Sequence, residues 1–225
     1  MKKIFTLIGA VLLTMSVNAQ TTLKVESFRM GIGEQKTITL DMDNSDLTDA
    51  AAFCCDIYLP EGVEIETDEE GTYKFSVSDR DGRATSPESL VIASAKQSDN
   101  AVRVVCFPKD AKAFAGTSGA VLNIPLVASE NLTKGAVEVK IASQEITNTT
   151  GLDTKKPEAS ISDLIAFLRG DVNDDDNVNS SDVLRDYEYM AGQTEGVSES
   201  AADVNEDGSV NSSDILRVYE IMAHQ

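Results

Sequence analysis

The sequence predicts a mainly β sandwich over residues 20–168, followed by a small all-α module over residues 169–225 built from two loop–helix repeats. Three observations carry this reading. Short, alternating apolar runs separated by turn-forming clusters fill the chain up to about residue 150. No segment with helical apolar spacing of useful length appears before residue 160. One motif is then written twice: residues 171–191 read DVNDDDNVNSSDVLRDYEYMA and residues 203–223 read DVNEDGSVNSSDILRVYEIMA, identical at 15 of 21 positions.

Residues 1–19 are expected to be a leader. Lys2 and Lys3 precede an apolar run from Ile4 to Met15, and Ser16-Val17-Asn18-Ala19 follows. A basic start, a short apolar core and a small-x-small site are the marks of a secretory signal peptide. The apolar run falls short of the roughly 20 residues that span a bilayer. The expected mature protein starts at Gln20, is secreted and has no membrane span.

Strands are expected at residues 23–25, 37–40, 53–59, 90–92, 102–106, 121–124 and 137–141. Asp43-Asn44-Ser45-Asp46, Pro60-Glu61-Gly62, Asp79-Arg80-Asp81-Gly82 and residues 115–119 punctuate them as turns. Many short strands at modest intervals point to a sandwich or barrel. Alternation places Cys55 on one face with Phe53, Ile57 and Leu59, and Cys106 with Val102 and Val104. Both faces look inward. In an oxidising compartment a Cys55–Cys106 disulfide across the core is one reading, and three small buried hydrophobes the other. Residues 161–168 are apolar and fit either a last strand or a short helix leading into the repeats.

The chain carries 38 acidic and 19 basic residues, for a formal charge of −19. Such a surface repels nucleic acid and suits a protein that holds cations. No catalytic constellation stands out. There is one histidine, His224, no phosphate-cradling glycine loop and no nucleophile elbow. The body also has no tryptophan, thin material for an enzymatic sugar cleft. The expectation is a protein without enzymatic activity.

The repeats have a chemistry of their own. Each places oxygen-bearing side chains at loop positions 1, 3, 5, 9 and 12 and then turns into a helix-spaced apolar run. A hard cation taking six to eight oxygens is wrapped by a twelve-residue loop of this kind, which indicates calcium, one ion per loop. In the first loop Asp171, Asn173 and Asp175 supply side-chain oxygens, Asn177 a backbone carbonyl and Asp182 the closing carboxylate, with Asn179 acting through water. In the second the same roles fall to Asp203, Asn205, Asp207, Ser209, Asp214 and Asn211. Val178 and Val210 are the apolar eighth residues expected to pair the loops. Ser180 or Ser181, and Ser212 or Ser213, are expected to cap the helices. Val183, Leu184, Tyr187 and Met190 are expected to line one helix face, as are Ile215, Leu216, Tyr219 and Met222. Position six needs a left-handed backbone. Gly208 supplies it freely, whereas Asp176 adopts it at a cost of about 1 kcal/mol, so the first site is expected to be the weaker.

A tandem pair of GDVN-x-D-x-x-V-N-S-S-D loops, each followed by one helix and lacking an entering helix, closely resembles type I dockerin modules. The resemblance covers residues 170–223. It implies calcium-dependent docking onto a cohesin domain of a secreted polysaccharide-degrading assembly. It also implies that Ser180, Ser181, Ser212 and Ser213 form the recognition pairs, and that the matched halves allow two binding orientations related by 180°. Where the family often carries basic residues, this chain has Tyr187-Glu188 and Tyr219-Glu220. More diffusely, residues 33–44, 59–65 and 120–141 resemble a cohesin-like jelly-roll sandwich, a fold shared with carbohydrate-binding modules. The leading expectation is a secreted, non-catalytic adaptor. The alternatives are a carbohydrate-binding module anchored by its tail, and a small glycan-active enzyme.

Overall fold

The computed structural model describes residues 20–98 and 100–224; the expected leader, residues 1–19, lies outside the described residues. Two sheets face each other across one core. The first runs β1 (Thr22–Lys24), β3 (Gln35–Asp43), β9 (Ser118–Ala128) and β5 (Val63–Ile65), with β6 (Ser76–Val77) also on β9. The second runs β2 (Phe28–Gly31), β12 (Ser160–Phe167), β10 (Gly135–Asn148), β4 (Ala50–Tyr58), β8 (Ala101–Pro108) and β7 (Leu90–Ser98), with β11 (Thr154–Lys155) on β10. All pairings are antiparallel except β2 with β12. The open choice at residues 161–168 is resolved as a strand, because β12 completes the ladder between β10 and β2.

Period-two alternation decides what enters the core. Phe53, Cys55 and Ile57 of β4, Val102, Val104 and Cys106 of β8 and Ile141 of the neighbouring β10 are buried, as are Leu40, Leu122 and Ile124 on the opposite sheet. Burial of this many large side chains, each worth roughly 1.5–3 kcal/mol, makes the sandwich self-sufficient. The outward face of the second sheet is not covered by a helix. There Arg103 clamps Asp56 through two bonds of 2.7 Å, and the Lys140 ammonium lies 4.4 Å above the Tyr58 ring.

Of the two readings left open for the cysteines, the structure does not form the Cys55–Cys106 bridge. Cys54, Cys55 and Cys106 are free thiols. Cys55 stands opposite Val104 and Cys106 opposite Phe53, so the two are diagonal neighbours within one sheet rather than partners across the core. Diagonal neighbours sit roughly 7–8 Å apart, beyond the roughly 4.4–6.8 Å that a disulfide spans between Cα atoms. Burial pushes the Cys106 thiol up to about 12 and raises Cys55 as well.

The chain passes from β12 into the repeats through Leu168, Arg169 and Gly170. Gly170 has φ +84, and a Cβ there would meet Val178 at 3.1 Å and Ile221 at 3.3 Å. The tail forms α1 (Ser180–Met190), a short α2 (Glu199–Ala202) and α3 (Ser212–Ala223). Val178, Val183, Val204, Ile215 and Val218 make its small core, with Leu168, Ile221 and Met222 packed against it. Among the described residues no helix is long and apolar enough to cross a membrane.

Candidate calcium loops and docking face

The two loops fold alike because their side chains direct the backbone alike. Asp171 accepts the Asp175 amide on Oδ1 at 2.9 Å and the Asp176 amide on Oδ2 at 3.0 Å. Asp203 accepts Asp207 at 3.1 Å and Gly208 at 3.0 Å in the same way. Asn173 and Asn205 each accept the amide two residues on, and Asp175 and Asp207 do so in turn, at 2.9–3.0 Å. Each loop therefore curls around the oxygens of positions 1, 3 and 5. Position six is left-handed in both copies, at φ 66 for Asp176 and 84 for Gly208. Position four is left-handed too, at φ 63 for Asp174 and 56 for Glu206, which turns those carboxylates outward.

The closing carboxylates are wholly buried and stitch each loop shut. Asp182 accepts Val172 and Asn173 on Oδ1, at 2.8 and 3.1 Å, and Asn179 on Oδ2 at 2.8 Å. Asp214 accepts Asn205 on Oδ1 at 3.1 Å and Asn211 on Oδ2 at 2.9 Å. Two lone pairs per oxygen leave Asp214 one acceptor site on each oxygen, and Asp182 one on Oδ2 alone.

Among the described residues no three acidic, histidine or cysteine side chains converge into a preformed metal cluster. Each loop instead mixes carboxylates, carboxamides and carbonyls. That all-oxygen, net-negative set fits a hard divalent cation. In the first loop Asp171, Asn173, Asp175, Asn177 and Asp182 would hold it; in the second, Asp203, Asn205, Asp207, Ser209 and Asp214. The amide of Asn173 bonded to Asp175 holds that carboxyl below the usual range.

Three expectations about the repeats are corrected. The helix caps are Asn179 and Asn211, whose Oδ1 atoms accept Ser181 and Ser213 amides at 2.9 and 3.0 Å, with Asp182 and Asp214 closing each capping box. The serines are displaced one turn position onto the helix. Ser180, Ser212 and Ser213 are exposed and Ser181 is half-buried. The Ser181 and Ser213 hydroxyls bond back to Asn179 and Asn211 at 2.9 Å, which leaves Ser180 and Ser212 as the outward pair. Val178 and Val210 form no β-bridge; Val178 serves as a core side chain. The third correction concerns the helix faces. Val183, Ile215 and Val218 point inward, whereas Leu184, Tyr187, Leu216 and Tyr219 are 58, 53, 64 and 49% exposed.

Two features escaped sequence reasoning. Asp186 stands at the repeat position that holds Val218 and is 0% exposed, with both carboxylate oxygens lacking a hydrogen-bond partner. Burial, reinforced by the charges of Asp214 and Asp182, pushes it up to about 7. The second feature is a set of cations from outside the loops. Lys134, in the turn between β9 and β10, meets Asp171 at 3.1 Å, Asp174 at 2.9 Å and Asp176 at 2.5 Å. Burial alone would lower Lys134; its ion pairs with Asp176, Asp174 and Asp171 raise it instead. Arg169 grips Glu34 of the sandwich in a two-pronged pair, donates to the Val204 carbonyl at 2.9 Å and meets Glu206 at 2.7 Å. Lys36 stands 3.7 Å from Glu206.

Three residues join a two-sheet sandwich to paired acidic loop–helix repeats. Residues 169–222 match the dockerin type I domain family, so the tail is a type I dockerin, a calcium-binding domain type. The sandwich has the cohesin fold. It superposes on the sixth cohesin of Acetivibrio cellulolyticus scaffoldin B, solved with a Cel5 dockerin mutant (TM-score 0.51, 8% identity, 66% of this chain and 99% of that one). It superposes equally on the cohesin of a Coh-OlpA–Doc918 complex from Clostridium thermocellum (0.52, 10%, 66% and 99%). A non-cellulosomal cohesin of the archaeon Archaeoglobus fulgidus is also similar (0.50, 13%, 66% and 92%). At these identities the likeness is one of fold. No curated protein matches the chain.

Proposed function

We propose that this protein is a secreted, non-catalytic adaptor whose dockerin, folded around two calcium ions, docks onto a cohesin domain of an extracellular polysaccharide-degrading assembly. The observation that carries this is the duplicated outward face. Ser180, Leu184 and Tyr187 on α1 recur as Ser212, Leu216 and Tyr219 on α3, exposed to nearly the same degree. Each set combines a polar anchor with two large side chains that stay about half exposed or more among the described residues, the composition of an interface core. Equal exposure on both helices supports docking in either of two orientations.

The sandwich in front is read as a module that the dockerin delivers. Carbohydrate stacking on it is disfavoured, because Tyr58 lies beneath Lys140 and Tyr73 packs against Phe75, their ring centroids 6.1 Å apart. A second reading, that it receives another dockerin, is supported by the uncovered sheet face carrying Cys54, Val105 and the 41% exposed Phe107. The deciding experiment immobilises the mature chain, passes the producing organism's secretome over it and identifies bound proteins by mass spectrometry. Retention of a cohesin-bearing protein in calcium, and its release by chelator, is expected. If no cohesin-bearing protein is held selectively in calcium, the docking reading fails.

A further inference from the structure

We propose that the loop side of the dockerin is a calcium-dependent docking surface for the chain's own sandwich, so that calcium locks the two domains into one body. It rests on the reading above in one respect only, that calcium fills both loops. Position four does not ligate in a loop of this type, yet in both repeats its carboxylate is turned outward by a left-handed backbone and met by cations on or beside the sandwich. Asp174 meets Lys134; Glu206 meets Arg169 and Lys36. Asp176 adds a second carboxylate to Lys134 and Asp171, itself a loop ligand, a third. Arg169 also holds Glu34 and the Val204 carbonyl, so one guanidinium ties the β2–β3 turn to the second loop.

These pairs depend on loop shape. Non-glycine residues adopt the left-handed backbone only where surrounding structure imposes it. In each loop the imposing structure is the wrap of chain around the position-1, -3 and -5 oxygens. Without a cation the acidic side chains gathered there repel one another, and the wrap relaxes. Asp174, Asp176 and Glu206 then swing away from Lys134, Arg169 and Lys36. Linkage makes the effect reciprocal: what calcium does for the domain contact, the contact does for the calcium-bound shape. The connection of only residues 168–170 keeps the partners at high effective concentration, so a few ion pairs between partly buried cations and exposed carboxylates suffice.

Calorimetric melting of the full mature chain, in calcium and in chelator, tests this. Calcium is expected to produce a dockerin transition and also to raise the sandwich transition by about 2–4 °C. Lys134→Glu should at least halve the rise of the sandwich transition while leaving the dockerin transition in place. Asp174→Asn with Glu206→Gln provides a second variant, because it alters exposed positions outside the ligand set and keeps a residue tolerant of the left-handed backbone at 174. A sandwich transition indifferent to calcium in the wild type overturns the proposal, as does a rise of equal size in both variants. Absence of any dockerin transition in calcium overturns the loop reading itself, so the two failures are distinguishable.

Discussion

Asp186 shows how one residue breaks the symmetry of a duplicated module. Its counterpart Val218 contributes to the apolar core, while Asp186 brings a carboxylate with no donor into the same layer. An unsatisfied buried carboxylate favours its protonated form, which is why burial lifts it to about 7. The sign follows. Between about pH 4 and 7 the folded state binds the proton more tightly than the unfolded chain, so the group's contribution falls as pH rises through that window. Asp186→Val should therefore stabilise the calcium-loaded dockerin by about 1–2 kcal/mol at pH 8 and by little at pH 4. Thermal melts of both proteins at the two pH values check this; equal gains at both would refute the assignment. Asp176 argues the same way through its backbone. In a Lys134→Ala background, where Asp176 has no ion pair to lose, replacing it by the glycine found at position 208 removes a left-handed cost of about 1 kcal/mol. Calorimetry should then show one of two calcium-binding steps tightened about fivefold, and unchanged steps would reject the idea.

The helices carry the docking prediction. Each of α1 and α3 keeps one apolar stripe for the shared core and turns Leu and Tyr outward, leaving two equivalent faces. Leu184→Asp or Leu216→Asp alone should leave cohesin binding within a few-fold of wild type, since the other face remains. The double variant should lose binding by at least about a hundredfold. A single substitution that abolishes binding would show that only one orientation is used. Much of the loop geometry was legible in the sequence, because it is local: the side chains that turn each loop and start each helix lie within twelve positions. Which side of a helix is buried was not, because Leu184 and Val183 are equally apolar and only the packing of α1 against α3 chooses between them. The caps were misplaced for a related reason, since Asn and Ser cap about equally well and adjoin here. Lys134 left no signal at all: it reaches Asp171 across 37 positions of chain.

At the scale of the molecule the two domains rest on different physics. The sandwich buries a broad core between two sheets, and its alternating strands announced that core in advance, although the short β2, β5, β6 and β11 are too brief to carry a pattern. Among the described residues the dockerin has five buried apolar residues in its core cluster. Its helices of 11 and 12 residues lie below the length at which isolated helices persist in water. Both loops gather acidic side chains whose repulsion opposes the wrapped form until a divalent cation offsets it. Binding free energy is then folding free energy for this domain. Chelation of the mature protein should remove most of the helical circular-dichroism signal while the β signal stays, and returning calcium should restore it. If helicity is unchanged at chelator concentrations that strip both ions, the dockerin core is self-sufficient and calcium plays no structural part.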